Sequence, residues 1–126
     1  MKKRARHEVE CTIPVLPVTK LAPSIHFYTE KVGFNLEWRG SVVCSVARDG
    51  RSIMLRQRGS REKVAPVWVW IGLSSDHLFD ELKKRRVKVL QRPMNHSWAY
   101  DAMFEDPDGN VLWLGTESKR ELPLDD

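Results

Sequence analysis

The chain repeats one order of segments twice, and this repeat restricts its fold more than any other feature. Each half has an apolar segment, a helical pattern, a second apolar segment and a hairpin pattern with an Asp-Gly turn. Asp49-Gly50 aligns with Asp108-Gly109, and Ile53-Met54-Leu55 then aligns with Leu112-Trp113-Leu114. Self-similarity at a fixed period indicates copies of one supersecondary unit. The sequence therefore predicts an α+β fold made of two βαβββ modules.

The first half predicts four strands, over residues 12–19, 34–39, 42–47 and 52–57, from alternating and β-branched residues. Pro14 and Pro17 make the first of them an edge strand, since proline cannot donate a ladder hydrogen bond. A helix is predicted from Leu21 to the residue before Gly33, because apolar residues recur at helical spacing and glycine is favoured just past a helix end.

The second half predicts strands over residues 67–73, 87–91, 98–105 and 111–116, with a helix over 76–86. One domain is expected over residues 12–117, divided into module one (12–58) and module two (66–117). A single domain fits the length of 126 residues. Residues 1–11 and 118–126 are expected to be flexible tails, as polar termini commonly are.

Composition excludes several classes of protein. No apolar run approaches the roughly 18 residues that a membrane span needs, so no membrane association is expected. The basic N-terminus is not followed by an apolar segment of the secretory kind. Two cysteines, Cys11 and Cys44, are too few for a disulfide scaffold and favour a reducing cytoplasm.

The net charge of +4 suggests an anionic partner, and nucleic acid is the first class to consider. No helix-turn-helix, zinc-finger or RNA-binding motif accompanies the basic residues, so nucleic-acid binding is not expected. Runs of charge are usually solvated tails or solvated helix ends. The positive residues form three clusters: Lys2, Lys3, Arg4 and Arg6; Arg51, Arg56, Arg58, Arg61 and Lys63; Lys83, Lys84, Arg85, Arg86, Lys88 and Arg92.

Three segments resemble the vicinal oxygen chelate fold, also called the glyoxalase/bleomycin resistance/dioxygenase superfamily. They are residues 13–18, 24–34 and 104–112, with the sequences IPVLPV, SIHFYTEKVGF and FEDPDGNVL. The resemblance implies that the two modules form a curled mixed sheet around a shared concave site, in a homodimer. Val67-Trp68-Val69-Trp70 and Trp98 are similar to motifs of the bleomycin resistance proteins, which confer antibiotic resistance by binding the drug. Pro14 matches a proline of their first strand, and this match implies that the strand is exchanged between subunits.

Enzymes of this superfamily hold a divalent metal at four matching strand positions. In this chain the resemblance places those positions on Ile13, Met54, Trp68 and Trp113. None of these side chains offers the nitrogen, thiolate or oxygen donor that such metals require. The resemblance therefore implies a protein with no metal, no cofactor and no catalytic residue. A metal-dependent lyase, isomerase or dioxygenase of the same superfamily remains the alternative.

Alternation along residues 67–73 puts Trp68 and Trp70 on the face opposite the β-branched residues. We interpret the tryptophans as a slot for a planar aromatic small molecule, the class of ligand that bleomycin resistance proteins hold. The alternative is that they fill a core or a subunit interface. Glu37 and Asp101 are further candidates for the wall of the slot, whereas the loop residue His96 is interpreted as a surface residue and is given no role. The predicted ligand-binding residues are Trp38, Met54, Trp68, Trp70, Trp98 and Trp113.

One property departs from the bleomycin resistance proteins, which are strongly acidic and bind a cationic drug. This chain is basic, with an isoelectric point near 9.3. Charge complementarity selects partners, so the resemblance supports the scaffold and the aromatic slot more than it supports bleomycin itself. The identity and charge of the ligand stay open at this point.

Overall fold

The structure is a computed structural model that describes residues 6–125. Module one contains β1 (Val15–Val18), α1 (Leu21–His26), which continues as a π-helical turn (Phe27–Lys31), β2 (Asn35–Arg39), β3 (Val43–Arg48) and β4 (Arg51–Gln57). Module two contains β5 (Trp68–Gly72), α2 (His77–Lys84), β6 (Lys88–Asn95), β7 (Tyr100–Glu105) and β8 (Val111–Thr116). The predicted pair of βαβββ modules is confirmed.

Each module forms one mixed four-stranded sheet, and the two sheets have the same topology. The strand orders are β1-β4-β3-β2 and β5-β8-β7-β6. The first strand of each module pairs in parallel with the last, and the other neighbours are antiparallel. The repeat in the sequence is therefore a repeat in hydrogen-bonded register as well.

Two glycines end elements where the sequence predicts it. Gly33 has a φ of +79° directly after the first helix, a conformation that favours glycine at this position. Asp49 and Gly50 have φ values of 50° and 74° between the paired Arg48 and Arg51. Positive φ at both central residues is what a two-residue hairpin turn of type I′ requires.

The modules are joined by a buried polar contact behind the second hairpin. The Tyr28 hydroxyl donates to Asp106 Oδ2 at 2.8 Å, and Asn110 Nδ2 donates to the Pro17 carbonyl at 2.8 Å. Burial raises the pKa of the Asp106 carboxyl, although its hydrogen bonds oppose that rise. Burial, with the charge of Asp106, also raises the pKa of Tyr28. Asp108 completes the contact by accepting the backbone N–H of Thr19 at 2.9 Å.

Several boundaries differ from those predicted. β1 begins at Val15 instead of residue 12, β7 begins at Tyr100 instead of residue 98, and the strand predicted over 87–91 continues to Asn95. The pairing of β6 with β7 shifts register at two places. Such bulges interrupt the alternation of side chains but let the strand continue beyond them.

The C-terminal segment, predicted to be a flexible tail, makes specific contacts with β6. The Asn95 side chain donates to the carbonyls of Lys119 and Leu122 and accepts the Lys119 N–H, all at 2.8–3.1 Å. Asp125 accepts the Asn95 N–H at 2.7 Å.

The predictions for residues 1–5, including the basic cluster at residues 2–4, and for residue 126 lie outside the described residues. No helix within residues 6–125 has the length and apolar character needed to cross a membrane.

Candidate functional site

Strand alternation separates β5 into a core side and an outer side. Val69 is buried in the hydrophobic core, whereas Trp68 and Trp70 are 57% and 46% exposed on the opposite side. Since side chains at i and i+2 share a face of the sheet, the two indoles lie together, as predicted. We call this side of each sheet, turned away from the core, its open face.

Four indoles meet on the open face of the second sheet, and we call them the indole cluster. Trp113 is central: its ring centroid lies 4.9 Å from that of Trp70, 5.8 Å from Trp98 and 6.0 Å from Trp68. All three contacts are edge-to-face, a preferred arrangement of aromatic pairs. Register explains the closest contact, because Trp70 and Trp113 are direct partners in the parallel pair of β5 and β8.

Gly115 provides the space in which Trp70 lies. A Cβ atom added at Gly115 would come within 3.0 Å of three carbons of the Trp70 benzo ring, which is closer than real Cβ atoms approach. The Trp70 ring therefore covers the backbone of β8 directly. Sequence reasoning missed this role, although a glycine inside a strand does signal a close approach of another group.

Asp101 anchors the cluster from below. This carboxylate is 1% exposed and accepts Trp113 Nε1 at 2.7 Å on one oxygen. Its other oxygen lies 2.8 Å from Gln91 Nε2 and 2.9 Å from His96 Nε2. A buried carboxylate is stable only when such donors satisfy it. Asp101 was a candidate from the sequence, whereas His96 was given no role there. Gln91 was missed because the bulges in β6 hide which face it occupies.

His96 also contacts the cluster through its ring. The imidazole stacks on the Trp98 indole with centroids 4.9 Å apart and planes 5° from parallel. The loop that carries both rings is closed by a hydrogen bond from the His96 N–H to the Ala99 carbonyl at 2.8 Å. Ser118 of the C-terminal segment donates to the His96 carbonyl from the other side. Trp98 is thus held on a braced loop while 56% exposed.

The other two predicted residues, Trp38 and Met54, lie on the first sheet. Trp38 and Met54 both pair with Ser45, and Trp38 is 47% exposed beside a bulge in β2. Glu37, on that bulge, accepts the hydroxyls of Ser52 and Ser45 at 2.7 Å each, and these bonds lower the pKa of its carboxyl. The structure therefore joins four of the six predicted residues in one cluster and puts the other two on the sheet of the other module.

The positions that correspond to metal ligands in the superfamily do not fit a metal. Met54 lies beside Val15 in the parallel pair of β1 and β4, and Trp113 lies beside Trp70 in the equivalent pair. Thioether, aliphatic and indole groups are poor donors for a hard or borderline divalent ion. Within residues 6–125, no group of three or more His, Cys, Asp or Glu side chains is arranged to hold one.

The two cavities described next lie elsewhere on the molecule, and both are open to solvent. One cavity of about 520 Å³ lies between the modules near Thr19, Arg58 and Asp108. Another of about 540 Å³ lies between Arg48 of the first hairpin and Ser75 and His77 near α2. The indole cluster lines neither of them, so in a single chain it forms an open surface.

Comparison with known proteins agrees with this architecture. The family model described as "Glyoxalase/Bleomycin resistance protein/Dioxygenase superfamily" matches residues 10–114. Among curated proteins, no match was found.

Solved structures with this fold include an antibiotic binding protein, TnmS3, from Streptomyces sp. CB03234. It is 28% identical to this chain, with a TM-score of 0.70, over 89% of this chain and all of the other. A glyoxalase/bleomycin resistance protein/dioxygenase from Nocardioides is 22% identical, with a TM-score of 0.70, over 91% of this chain and 89% of that one. One from Alicyclobacillus acidocaldarius is 17% identical, with a TM-score of 0.72, over 90% and 95% of the two chains.

Proposed function

The chain belongs to the glyoxalase/bleomycin resistance protein/dioxygenase superfamily, and we propose that it is a metal-free protein that binds and sequesters a planar aromatic compound. The observation that carries the proposal is the indole cluster. Trp68, Trp70 and Trp98 touch other aromatic rings of the cluster, yet each keeps about half of its surface exposed. Two of the four indoles, Trp68 and Trp113, stand at positions that the resemblance matches to metal ligands of the superfamily's enzymes.

The physical case rests on apolar area and ring geometry. Contiguous exposed apolar surface on a soluble protein commonly marks a binding site. Stacked aromatic pairs contribute about 0.5–1.5 kcal/mol beyond the burial of their area. A flat ligand in contact with several of these indoles would gain from both effects.

TnmS3, described as an antibiotic binding protein, supports the choice of ligand class because its similarity extends over nearly the whole chain. We therefore include antibiotics with planar rings, bleomycin among them, in the class. Asp101 and Glu37 put a carboxylate on the open face of each sheet, so the net charge of +4 does not describe the local field there.

We further propose that the protein acts as a homodimer. Val15, which pairs with Met54 on the open face of the first sheet, is an apolar side chain that is also exposed. A second copy would cover part of this area and enclose the indole cluster. Exchange of the first strand is one route to such a dimer.

The test is isothermal calorimetry on the purified protein with bleomycin and with anthraquinone-2-sulfonate, a planar anion. We expect one of the two to bind, and Trp70→Leu to weaken that binding by at least about tenfold, equivalent to 1.4 kcal/mol. Val42→Ala is the control, because Val42 is similarly exposed but lies outside the indole cluster and outside the predicted binding residues. Failure of both probes to bind would refute the proposal. A stoichiometric divalent metal in the purified protein would favour the metal-enzyme alternative instead.

A further inference from the structure

We propose that Glu37, Trp38 and Met54 form a binding site for an alkylammonium group on the open face of the first sheet. The indole cluster lies on the second sheet, so this site is separate from the one assigned to a planar ligand. Its residues include the two predicted ligand-binding residues, Trp38 and Met54, that the structure separates from the cluster.

Ser45 on β3 borders all three residues of the site. Trp38 and Met54 are its partners on the two neighbouring strands, and Glu37 occupies the bulge directly before Trp38. Because its neighbours in sequence are core residues, Ser45 faces away from the core. It is nevertheless only 2% exposed, so side chains of the open face cover it. The register therefore puts a carboxylate beside a half-exposed indole.

One oxygen of the Glu37 carboxylate is fully used by hydrogen bonds. Oε1 accepts the hydroxyls of Ser52 and Ser45, each at 2.7 Å. These bonds lower the pKa of the carboxyl, so Glu37 is ionised at neutral pH. Each carboxylate oxygen has two lone pairs, so the two donors satisfy Oε1. Within the part of the chain that the structure describes, no hydrogen bond reaches Oε2, and Glu37 is an exposed residue.

A single free oxygen distinguishes between two kinds of organic cation. A guanidinium binds a carboxylate most strongly as a fork, through parallel hydrogen bonds to both oxygens. At Glu37 this fork would have to displace the two serine hydroxyls from Oε1. An ammonium is a compact charge with three rotatable donors, and one oxygen is enough to bind it. The geometry therefore favours an ammonium over a guanidinium.

Trp38 and Met54 suit the rest of such a ligand. The quadrupole of an indole attracts a cation that lies over the ring face, and Trp38 keeps about half of its surface exposed. The Met54 side chain is flexible and polarizable, so it can pack against an alkyl chain. Val15, its partner on β1, extends this apolar surface and is also exposed. Charge and apolar contact are thus available side by side.

The basic residues of the first sheet leave the carboxylate of Glu37 unpaired. The Arg56 guanidinium is bound to both oxygens of Glu62, at 2.8 and 3.0 Å. Arg39, the last residue of β2, pairs with the core residue Cys44, so its side chain starts on the other face of the strand. No ion pair among residues 6–125 involves Glu37. An external cation would therefore not have to displace one of the protein's own.

The experiment is a nuclear magnetic resonance titration of the nitrogen-labelled protein at about pH 7, where butylamine is a cation and butanol is its neutral counterpart. We expect butylammonium to shift the Trp38 indole N–H and the Ser45 amide. It should bind about three- to tenfold more tightly than butanol, the size of one exposed ion pair with one cation–π contact. Butylguanidinium should bind more weakly than butylammonium. Equal binding of butylammonium and butanol, or tighter binding of butylguanidinium, would overturn the proposal.

Substitutions assign the effect to the site, and the amide spectrum shows that each variant is folded. Glu37→Gln keeps an oxygen for the two serines but removes the charge, so it should abolish the preference for butylammonium over butanol. Trp38→Leu, followed at the Ser45 amide, should weaken the binding of butylammonium about two- to fivefold. Glu30→Gln is the matched control, since it removes the same charge from an exposed position on the π-helical turn. A preference that persists in Glu37→Gln, or that Glu30→Gln reduces equally, would contradict the site.

A last variant keeps this proposal distinct from the proposed function. Trp70→Leu should leave the binding of butylammonium unchanged, because Trp70 lies on the other sheet and the probe has no ring. Weaker binding of butylammonium in Trp70→Leu would move the site to the indole cluster and overturn the proposal. Binding of butylammonium without binding of either planar probe would support the ammonium site and refute the proposed function.

Discussion

Gly115 is the residue on which the position of Trp70 depends. A methyl group there would meet the indole, whereas a Cβ at the neighbouring Gly72 would lie 3.4 Å from Trp70 Nε1, close to ordinary contact. Neither glycine has the positive φ that would itself oppose alanine. Alanine at the two positions should therefore differ mainly in whether it displaces the Trp70 indole.

We expect Gly115→Ala to displace Trp70 and to destabilise the protein by about 1–3 kcal/mol, as overpacking commonly does. Gly72→Ala should be close to neutral. Near-ultraviolet circular dichroism reports the indole contacts, and denaturant melts report the free energy of unfolding. Equal effects of the two substitutions would contradict the packing described for Trp70.

Tyr28 tests the buried contact between the modules. Tyr28→Phe removes the hydroxyl that donates to Asp106, and leaving a buried acceptor short of a donor costs about 1–3 kcal/mol. Tyr100→Phe is the control, because the Tyr100 hydroxyl has no hydrogen bond to another described side chain. A Tyr28→Phe protein as stable as that control would show that the contact contributes nothing.

The same substitution should have a pH-dependent cost. The pKa of Asp106 is raised in the folded protein, so its contribution to stability is fully present below its ordinary pKa and is lost as pH rises through the folded value. The Tyr28 hydroxyl offsets that loss by donating to the ionised form. We therefore expect the penalty of Tyr28→Phe in urea melts to be larger at about pH 7 than at about pH 4. The reverse order would contradict this assignment.

At the level of elements, the C-terminal segment stabilises the loop that carries Trp98. Asn95 is the link, since its amide bonds the segment and its neighbour His96 begins the loop. Asn95→Ala should lower the melting temperature by several degrees, whereas Asn35→Ala, on exposed β2, should not. The near-ultraviolet signal of Trp98 should weaken in the same variant. Unchanged melting of Asn95→Ala would mean that the segment is not a structural brace.

The sequence predicted those helices, strands and turns that depend on residues close together in the chain. The Asp-Gly turns, the helix that ends at Gly33 and the alternation of residues 67–73 all depend on neighbours in sequence, and the structure confirms them. The contacts of Asn95 join residues more than 20 positions apart and have no local signal. Asp101 could be proposed as a wall residue from its type alone, but its three donors depend on register shifts that composition does not encode.

At the level of the whole molecule, the repeat and the family motifs predicted the two-module architecture, whereas the association of chains remains a prediction. We expect sedimentation velocity at micromolar concentration to give a dimer. Substituting Glu for Val15, which is exposed at the edge of the first sheet, should weaken the dimer by burying a charge. Ala22→Glu, at an exposed position of α1, is the control. A monomer at all concentrations would contradict the proposed assembly.

The binding of a flat ligand by the indole cluster is tested most directly by nuclear magnetic resonance of the five indole N–H groups. Bleomycin and anthraquinone-2-sulfonate would each be added to nitrogen-labelled protein, with the five signals assigned by single Trp→Phe substitutions. We predict that one probe shifts the Trp68, Trp70 and Trp98 signals together, while the Trp113 N–H stays bonded to Asp101. Signals that stay in place with both probes, or shifts confined to residues around the two cavities, would contradict the account.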